Sequence, residues 1–242
     1  MKISIVVPAF NEERGLAASL QSIHDALITL DESGISSELI VCDNNSSDRT
    51  AAIARVYGAD VVFEPINQIS RARNTGAARA TGDWLVFIDA DSHPSRELFA
   101  DTARAIRSGR YIAGGSTMRF DERHRLVDLV GWSWNTISRV MKWGAGSFIF
   151  CEASTFHEIG GFSQELFAAE EIDLFRRLKQ RAYQQRRRDV VILHRHPLVT
   201  SVRKMRLYTW REQLGFVWRT IATRGRTLKS RSDCFSWYDG RR

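Results

Sequence analysis

The chain has little cysteine. Its 242 residues include only Cys42, Cys151 and Cys234, an odd number, widely spaced and with no CxxC pair. That argues against a disulfide framework and a structural zinc site, and favours a reducing compartment. Long apolar runs are absent as well, since none approaches the roughly 20 residues that span a bilayer. The N-terminal MKISIVVPAFNEE carries one Lys and a short apolar run that breaks into Asn-Glu-Glu, so it reads as a first core strand and not as a signal peptide. Internal repeats, low-complexity linkers and a clear domain boundary are also missing. What is present is 43% hydrophobic and 26% charged residues, the make-up of a soluble globular chain long enough to bury a full core.

Net positive charge is missing from most of the chain. Residues 1–175 hold 16 Lys and Arg against 24 Asp and Glu, whereas residues 176–242 hold 19 against 4. A basic end beside an acidic body points to an anionic partner: phosphate groups, acidic lipid or nucleic acid. Taken singly, a cluster such as RRLKQRAYQQRRR or SVRKMR reads equally as a solvated helical face.

The first two thirds alternate short apolar strands with helical patterns. ISIVVPAF reads as a strand, and Leu16, Leu20, Ile23, Leu27 and Leu30 then follow helical spacing, with Asn11 as N-cap. ELIVCD, ADVVFEP, DWLVFIDAD and YIAGGSTMRF read as further strands. The segments around Ala51–Tyr57, SRARNTGAARA and Ser95–Ile106 read as helices between them. Such alternation predicts an α/β fold, a mostly parallel sheet with helices on both faces, whose ligands bind at the carboxyl ends of the strands. Polar clusters occur at three of those ends: Asn11-Glu12, Asp43-Asn44-Asn45 and Asp89-Ala90-Asp91.

Each cluster has a chemical and a structural reading. Side chains two apart on an extended chain point the same way, so Asp89 and Asp91 would repel unless a cation or donors intervene. Oxygen ligands of this kind suit Mg²⁺ completed by substrate phosphates, although a capping Asp beside a solvated one explains them too. Asp43 could accept an N–H from a planar base, or cap an Asx turn. Arg71 and Arg73 offer donors for phosphate, or simply face water from a surface helix. Glu170, Glu171 and Asp173 sit where helix capping would place them, and a carboxylate held there would stay ionised and serve as a general base. His194 and His196, two apart on an expected strand, could ligate a metal or pair with phosphate. HRLVDLVGWSWNTISRVMKW places Leu126, Val127, Val130, Trp134, Ile137 and Met141 on one helical face, read as either packed on the sheet or turned to a membrane surface. Trp132, Trp134 and Trp143 are candidates for stacking on sugar rings or for core.

Taken in order, VVPAFNEE, VCDNNSSDRT, SRARNTGAARATGD, FIDAD, GGF and AAEEIDLFRRL resemble the family 2 glycosyltransferases of the GT-A fold, over about residues 2–181. The resemblance implies a mixed, mostly parallel nucleotide-binding sheet flanked by helices. It also implies a catalytic domain, taken as 1–200, with a nucleotide half to about residue 118 and an acceptor half after it; residues 201–242, beyond the resemblance, read from their composition as a basic, helical, aromatic-rich extension packed on the same domain. The activity implied is metal-dependent, inverting transfer of a sugar from a UDP- or GDP-linked donor to an acceptor hydroxyl, with Mg²⁺ or Mn²⁺ as cofactor. Carried over by position, Pro8, Ala9, Asn11 and Glu12 would line the nucleotide pocket, Asp43 would contact the base, and Arg71 or Arg73 would lie near the nucleotide. Asp89 would sit near the ribose or metal and Asp91 would ligate the metal, with His194 a further candidate ligand. Glu171 falls at the catalytic base, beside Glu170, with Asp173 as a substitute. Asn44 and Asn45 depart from the family's usual Asp and Gly. A cytoplasmic protein, peripheral at an anionic membrane, is the expected setting, and nucleic acid is not the expected partner. The alternatives are a retaining or nucleotidyl-transferring enzyme of the same fold, or a non-catalytic anion-binding protein that keeps the scaffold.

Overall fold

Side chains alternate across a strand, and here both faces are apolar. In the computed structural model, β1 (Lys2–Ala9) directs Ile3, Ile5, Val7 and Ala9 into one core and Val6 into another. Likewise β4 (Trp84–Ile88) directs Trp84, Val86 and Ile88 one way, and Leu85 and Phe87 the other. Strands apolar on both faces need cover on both faces. α1 (Leu16–Glu32), α2 (Thr50–Val56) and α4 (Arg96–Arg107) supply it on one side. α3 (Ile69–Arg79), α6 (Ala153–Glu158) and α7 (Glu170–Gln184) supply it on the other. The structure describes residues 1–122, 125–185, 188–202, 210–223 and 225–234.

The remaining strands are β2 (Ser36–Asp43), β3 (Asp60–Phe63), β5 (Ser92–His93), β6 (Tyr111–Phe120), β7 (Phe148–Glu152) and β8 (Asp189–Thr200). Together they form one eight-stranded sheet in the order β3-β2-β1-β4-β7-β6-β8-β5. Pairs β1–β2, β1–β4, β2–β3 and β6–β8 are parallel, and β4–β7, β6–β7 and β5–β8 are antiparallel. From β1 the chain runs outward through β2 and β3, then returns to lay β4 on the other side of β1. That reversal is the switch point at which open α/β sheets bind ligands. It sets the ends of β1 and β4 side by side.

α3 lies close to the sheet because its inward stripe is small. A Cβ on Gly76 would stand 2.4 Å from Val6 Cγ1. Asn11 does not cap α1: the helix begins at Leu16 after Gly15. Instead Asn11 adopts a left-handed φ of 52°, and its Oδ1 accepts the Ser47 N–H at 2.8 Å, tying the end of β1 to the loop after β2. α5 (Arg125–Met141) follows β6. Of the basic end, α8 (Trp210–Ala222) and a 3₁₀ turn at Arg226–Lys229 are described, and the SVRKMR and QRRR clusters fall largely outside the described residues. The turn meets the body where the Phe167 N–H donates to the Leu228 carbonyl at 2.7 Å. All three cysteines are buried and unbridged.

Candidate active site

Arg73 organises the site. It lies on the inward face of α3 with Ser70, Gly76 and Ala77, and is 1% exposed. Its guanidinium donates to Glu170 Oε1 at 2.6 Å, to Asp89 Oδ1 at 2.9 Å and to the Gly146 carbonyl at 3.0 Å, and it stacks over the Phe162 ring. The alternative in which Arg73 faces water from a surface helix is therefore corrected. Burial opposes its charge, but Asp89, Glu170 and Glu171 outweigh that and hold its pKa above the ordinary value. One side chain thus bridges α3, the turn after β4 and the start of α7.

Glu170 and Glu171 enter the site through a constrained turn. Ala169 takes a left-handed φ of 60° immediately before α7, a conformation that costs a residue with a Cβ roughly 1–2 kcal/mol. The loop ahead of it is pinned by α3. Asn74 accepts the Phe162 N–H and donates to the Phe162 carbonyl, both at 2.9 Å, and Gln68 donates to the Gln164 and Leu166 carbonyls. Gly161 lies in that loop at φ +65°, where a Cβ would come within 2.6 Å of Asn74 Oδ1, so the GGF motif needs its second glycine.

The two glutamates differ in surroundings. Glu170 is buried against Arg73. Glu171 borders the cavity but is otherwise enclosed by protein. Burial, followed by the charge of Glu170, pushes its pKa up to about 8 despite Arg73. The expectation that a first-turn carboxylate here stays ionised is thereby corrected: desolvation exceeds the helix-end effect. Asp173 turns elsewhere, ion-paired with Arg177 at 2.8 Å and Arg176 at 2.9 Å, and does not line the cavity.

Asp89 and Asp91 reach the same cavity by a turn and not along an extended strand. The Ser92 N–H donates to the Asp89 carbonyl at 3.0 Å, closing residues 89–92, and both carboxylates line the pocket. Like-charge repulsion is partly relieved by Arg73, which the sequence reading did not anticipate. Among the described residues no three or more His, Cys, Asp and Glu are arranged to hold a metal ion by themselves. Two carboxylates beside an open cavity nevertheless fit a hard divalent cation whose remaining ligands come from substrate phosphate. His194 does not join them. β8 bulges between Leu193 and Leu198, opposite Ser116 and Met118 of β6, and Pro197 within the bulge has no N–H to pair. His194 is exposed there, away from the cavity lining, while His196 Nδ1 lies 2.9 Å from Asp101 Oδ2 on α4.

Pro8, Ala9, Asn11, Glu12 and Asp43 gather at the adjoining ends of β1 and β2, where Ala9 and Asp43 are register partners. Neither they nor Arg71 line the cavity. Asp43 Oδ1 accepts the N–H of Ser46, three residues on, at 3.0 Å, and Arg71 Nε donates to Gln68 Oε1. Asn44 has its own task. Its amide donates to the Glu64 and Ile66 carbonyls and accepts the Gln68 N–H, holding the β3–α3 loop, and an aspartate could not make the two donations.

The cavity encloses about 430 Å³. Opposing chemistry meets in it: carboxylates from Asp89, Asp91, Glu170 and Glu171, and apolar surface from Met118, Phe120, Val130 and Trp134. Met118, Phe120 and Ser147 escaped sequence reading, because β6 and the loop before β7 meet α5 only in three dimensions. Arg73 was detectable, since it falls three and four residues from Gly76 and Ala77, on the small-residue stripe of α3. Of the three tryptophans considered for sugar stacking, Trp134 alone lines the cavity; Trp132 is exposed and Trp143 lies under Lys179.

The chain is similar to known proteins. The chain is 31% identical over 139 residues to a dolichol-phosphate mannosyltransferase of Pyrococcus furiosus, a match covering 52% of this chain and 38% of that protein. Across four curated relatives the match spans between 27% and 61% of the relative's own length. The mannosyltransferase PcManGT of Pyrobaculum calidifontis, solved with GDP-Man and Mn²⁺, superposes with a TM-score of 0.67 at 18% identity, over 94% of this chain and 62% of that one. Glucosyl-3-phosphoglycerate synthase of Mycobacterium tuberculosis, solved with Mn²⁺, UDP and phosphoglyceric acid, gives 0.60 at 19% identity, over 96% and 78%. The mixed sheet flanked by helices is thus the GT-A glycosyltransferase fold. The family model described as glycosyl transferase family 2 matches residues 4–162, which hold all three strand-end clusters and Arg73, and the chain belongs to that family.

Proposed function

We propose that the protein transfers a sugar from a nucleoside-diphosphate donor to an acceptor hydroxyl with inversion at the anomeric carbon, Glu171 being the general base. The observation that carries this reading is that Glu171 and the Asp89–Asp91 pair line one cavity, with Arg73 tying Asp89 to the neighbouring Glu170. Glu171 takes the acceptor O–H proton as the acceptor oxygen bonds to the anomeric carbon. The bond from that carbon to the diphosphate oxygen breaks, and its electron pair leaves with the diphosphate. Attack from the face opposite the leaving group inverts the centre. Arg73 keeps Asp89 and Glu170 in register with the base. Pro8, Ala9, Asn11, Glu12 and Asp43 form the nucleotide side, with Arg71 near it. Asp91 and Asp89 would hold Mg²⁺ or Mn²⁺, which when bound offsets negative charge on the departing diphosphate.

The neighbours solved with UDP or GDP-Man and with Mn²⁺ support a UDP- or GDP-linked donor and a divalent cation. Donor hydrolysis measured with UDP- and GDP-sugars, with and without Mn²⁺, tests the reading. Glu171→Gln should lose about 10²–10⁴-fold in rate while still binding nucleotide. Full activity in that variant, or a retained anomeric configuration in the product, would sink it.

A further inference from the structure

Helix α5 is mounted with its apolar side outward. It meets β6 through small and polar residues: Gly131 against the Phe120 ring, Asn135, whose amide donates to the Met118 carbonyl and accepts the Met118 N–H, and the fully buried Ser138. These recur at helical spacing and mark the inward face. The stripe Val130–Trp134–Ile137–Met141 lies about a quarter turn round the helix. Val130, Ile137 and Met141 are 39%, 45% and 44% exposed, flanked by Leu129 at 57% and Val140 at 76%. A water-facing helix normally shows the reverse pattern.

Two observations identify what covers this surface. The stripe runs into the candidate site, because Val130 and Trp134 also line the cavity. The end of α5 is cationic: Lys179 Nζ donates to the Met141 carbonyl at 2.9 Å, and Lys142 lies near enough to Lys179 for the two charges to oppose one another. Asp189 pairs with Lys142, and Asp128 lies on the far side of the helix. The formal charge of +7, concentrated in the C-terminal third, repels a second copy and attracts an anionic surface. Among the described residues no helix is long and apolar enough to cross a membrane, so the contact is interfacial.

We propose that α5 lies in the interface of an anionic bilayer, with its apolar stripe among the acyl chains and its basic end at the headgroups, so that the cavity opens at the membrane surface. The seat itself stands apart from the chemistry. That the acceptor is an amphiphile reaching the cavity from the membrane rests on the sugar-transfer reading above.

Co-sedimentation with vesicles of phosphatidylcholine containing phosphatidylglycerol, against phosphatidylcholine alone, tests the seat. The protein should bind the anionic vesicles and lose affinity as salt is raised. The double variant Ile137→Glu/Met141→Glu, at two exposed positions outside the cavity lining, should weaken binding about tenfold or more. Val56→Glu, on an exposed position of α2, should leave binding unchanged. A melting-temperature shift with UDP or GDP plus Mn²⁺, preserved in the double variant, shows that its fold and nucleotide site are intact and reads the donor reading separately. The proposal is overturned if the wild type ignores anionic vesicles, or if the double variant binds them as well as the wild type. It is equally overturned if sedimentation shows a dimer that the double variant dissolves, which would make the stripe an interface between copies.

Discussion

Glu171 combines chemistry with a stability cost. Unfolded, it ionises near 4.5; folded, it keeps its proton to about 8. Between those values the folded chain binds more protons than the unfolded one, so the stability that Glu171 contributes in full below 4.5 is lost as pH rises through 8. Glu171→Gln, which cannot ionise, should therefore match the wild type in melting temperature near pH 5 and exceed it by about 4 °C or more at pH 8. If Glu171 is the base, kcat/KM should rise with pH and level off above about 8, the value in the free protein. Arg73 carries the opposite liability. Arg73→Met leaves Glu170, which is 4% exposed, and Asp89 without their buried partner and should cost about 3–5 kcal/mol in urea unfolding. Arg73→Lys should recover part of that, since an ammonium cannot reproduce the guanidinium's three directed contacts.

Elements show how the site is kept in place. α3 contributes a clamp in Arg73 and two amide pins, Gln68 and Asn74, that hold the loop leading to α7. Asn74→Ala strips both pins from Phe162 and should cost about 2–3 kcal/mol in urea unfolding, with transfer slowed more than nucleotide binding is weakened. Most element identities were legible in local pattern. The α1 positions Leu16, Leu20, Ile23, Leu27 and Leu30 are all buried, as their spacing required. Orientation was less legible. Periodicity finds the stripe on α5 but does not say which way it faces, and the sheet accepted the Gly131–Asn135–Ser138 side because Asn135 satisfies the Met118 backbone. The bulge in β8 likewise depends on its register against β6, a relation between strands distant in sequence.

At the scale of the whole molecule, the switch point sets the polar cluster at the ends of β1 and β2, proposed above as the nucleotide side, beside the carboxylate cavity after β4. If both belong to one donor site, UDP or GDP should raise the melting temperature only when Mn²⁺ is present. A hundredfold excess over Kd corresponds to about 2.7 kcal/mol. Asp91→Asn should abolish the metal-dependent part. The order of strands and helices, the strand-end clusters and the Glu-Glu pair were determined by the sequence alone, because alternation, helical spacing and turn chemistry are local properties. Tertiary structure alone decided that Arg73 unites Asp89 with Glu170, that Glu171 holds its proton, that Asp173 and His194 lie outside the cavity, and that α5 turns its apolar stripe outward. Each of these depends on which groups from distant segments share a low-dielectric space, and no local pattern encodes that.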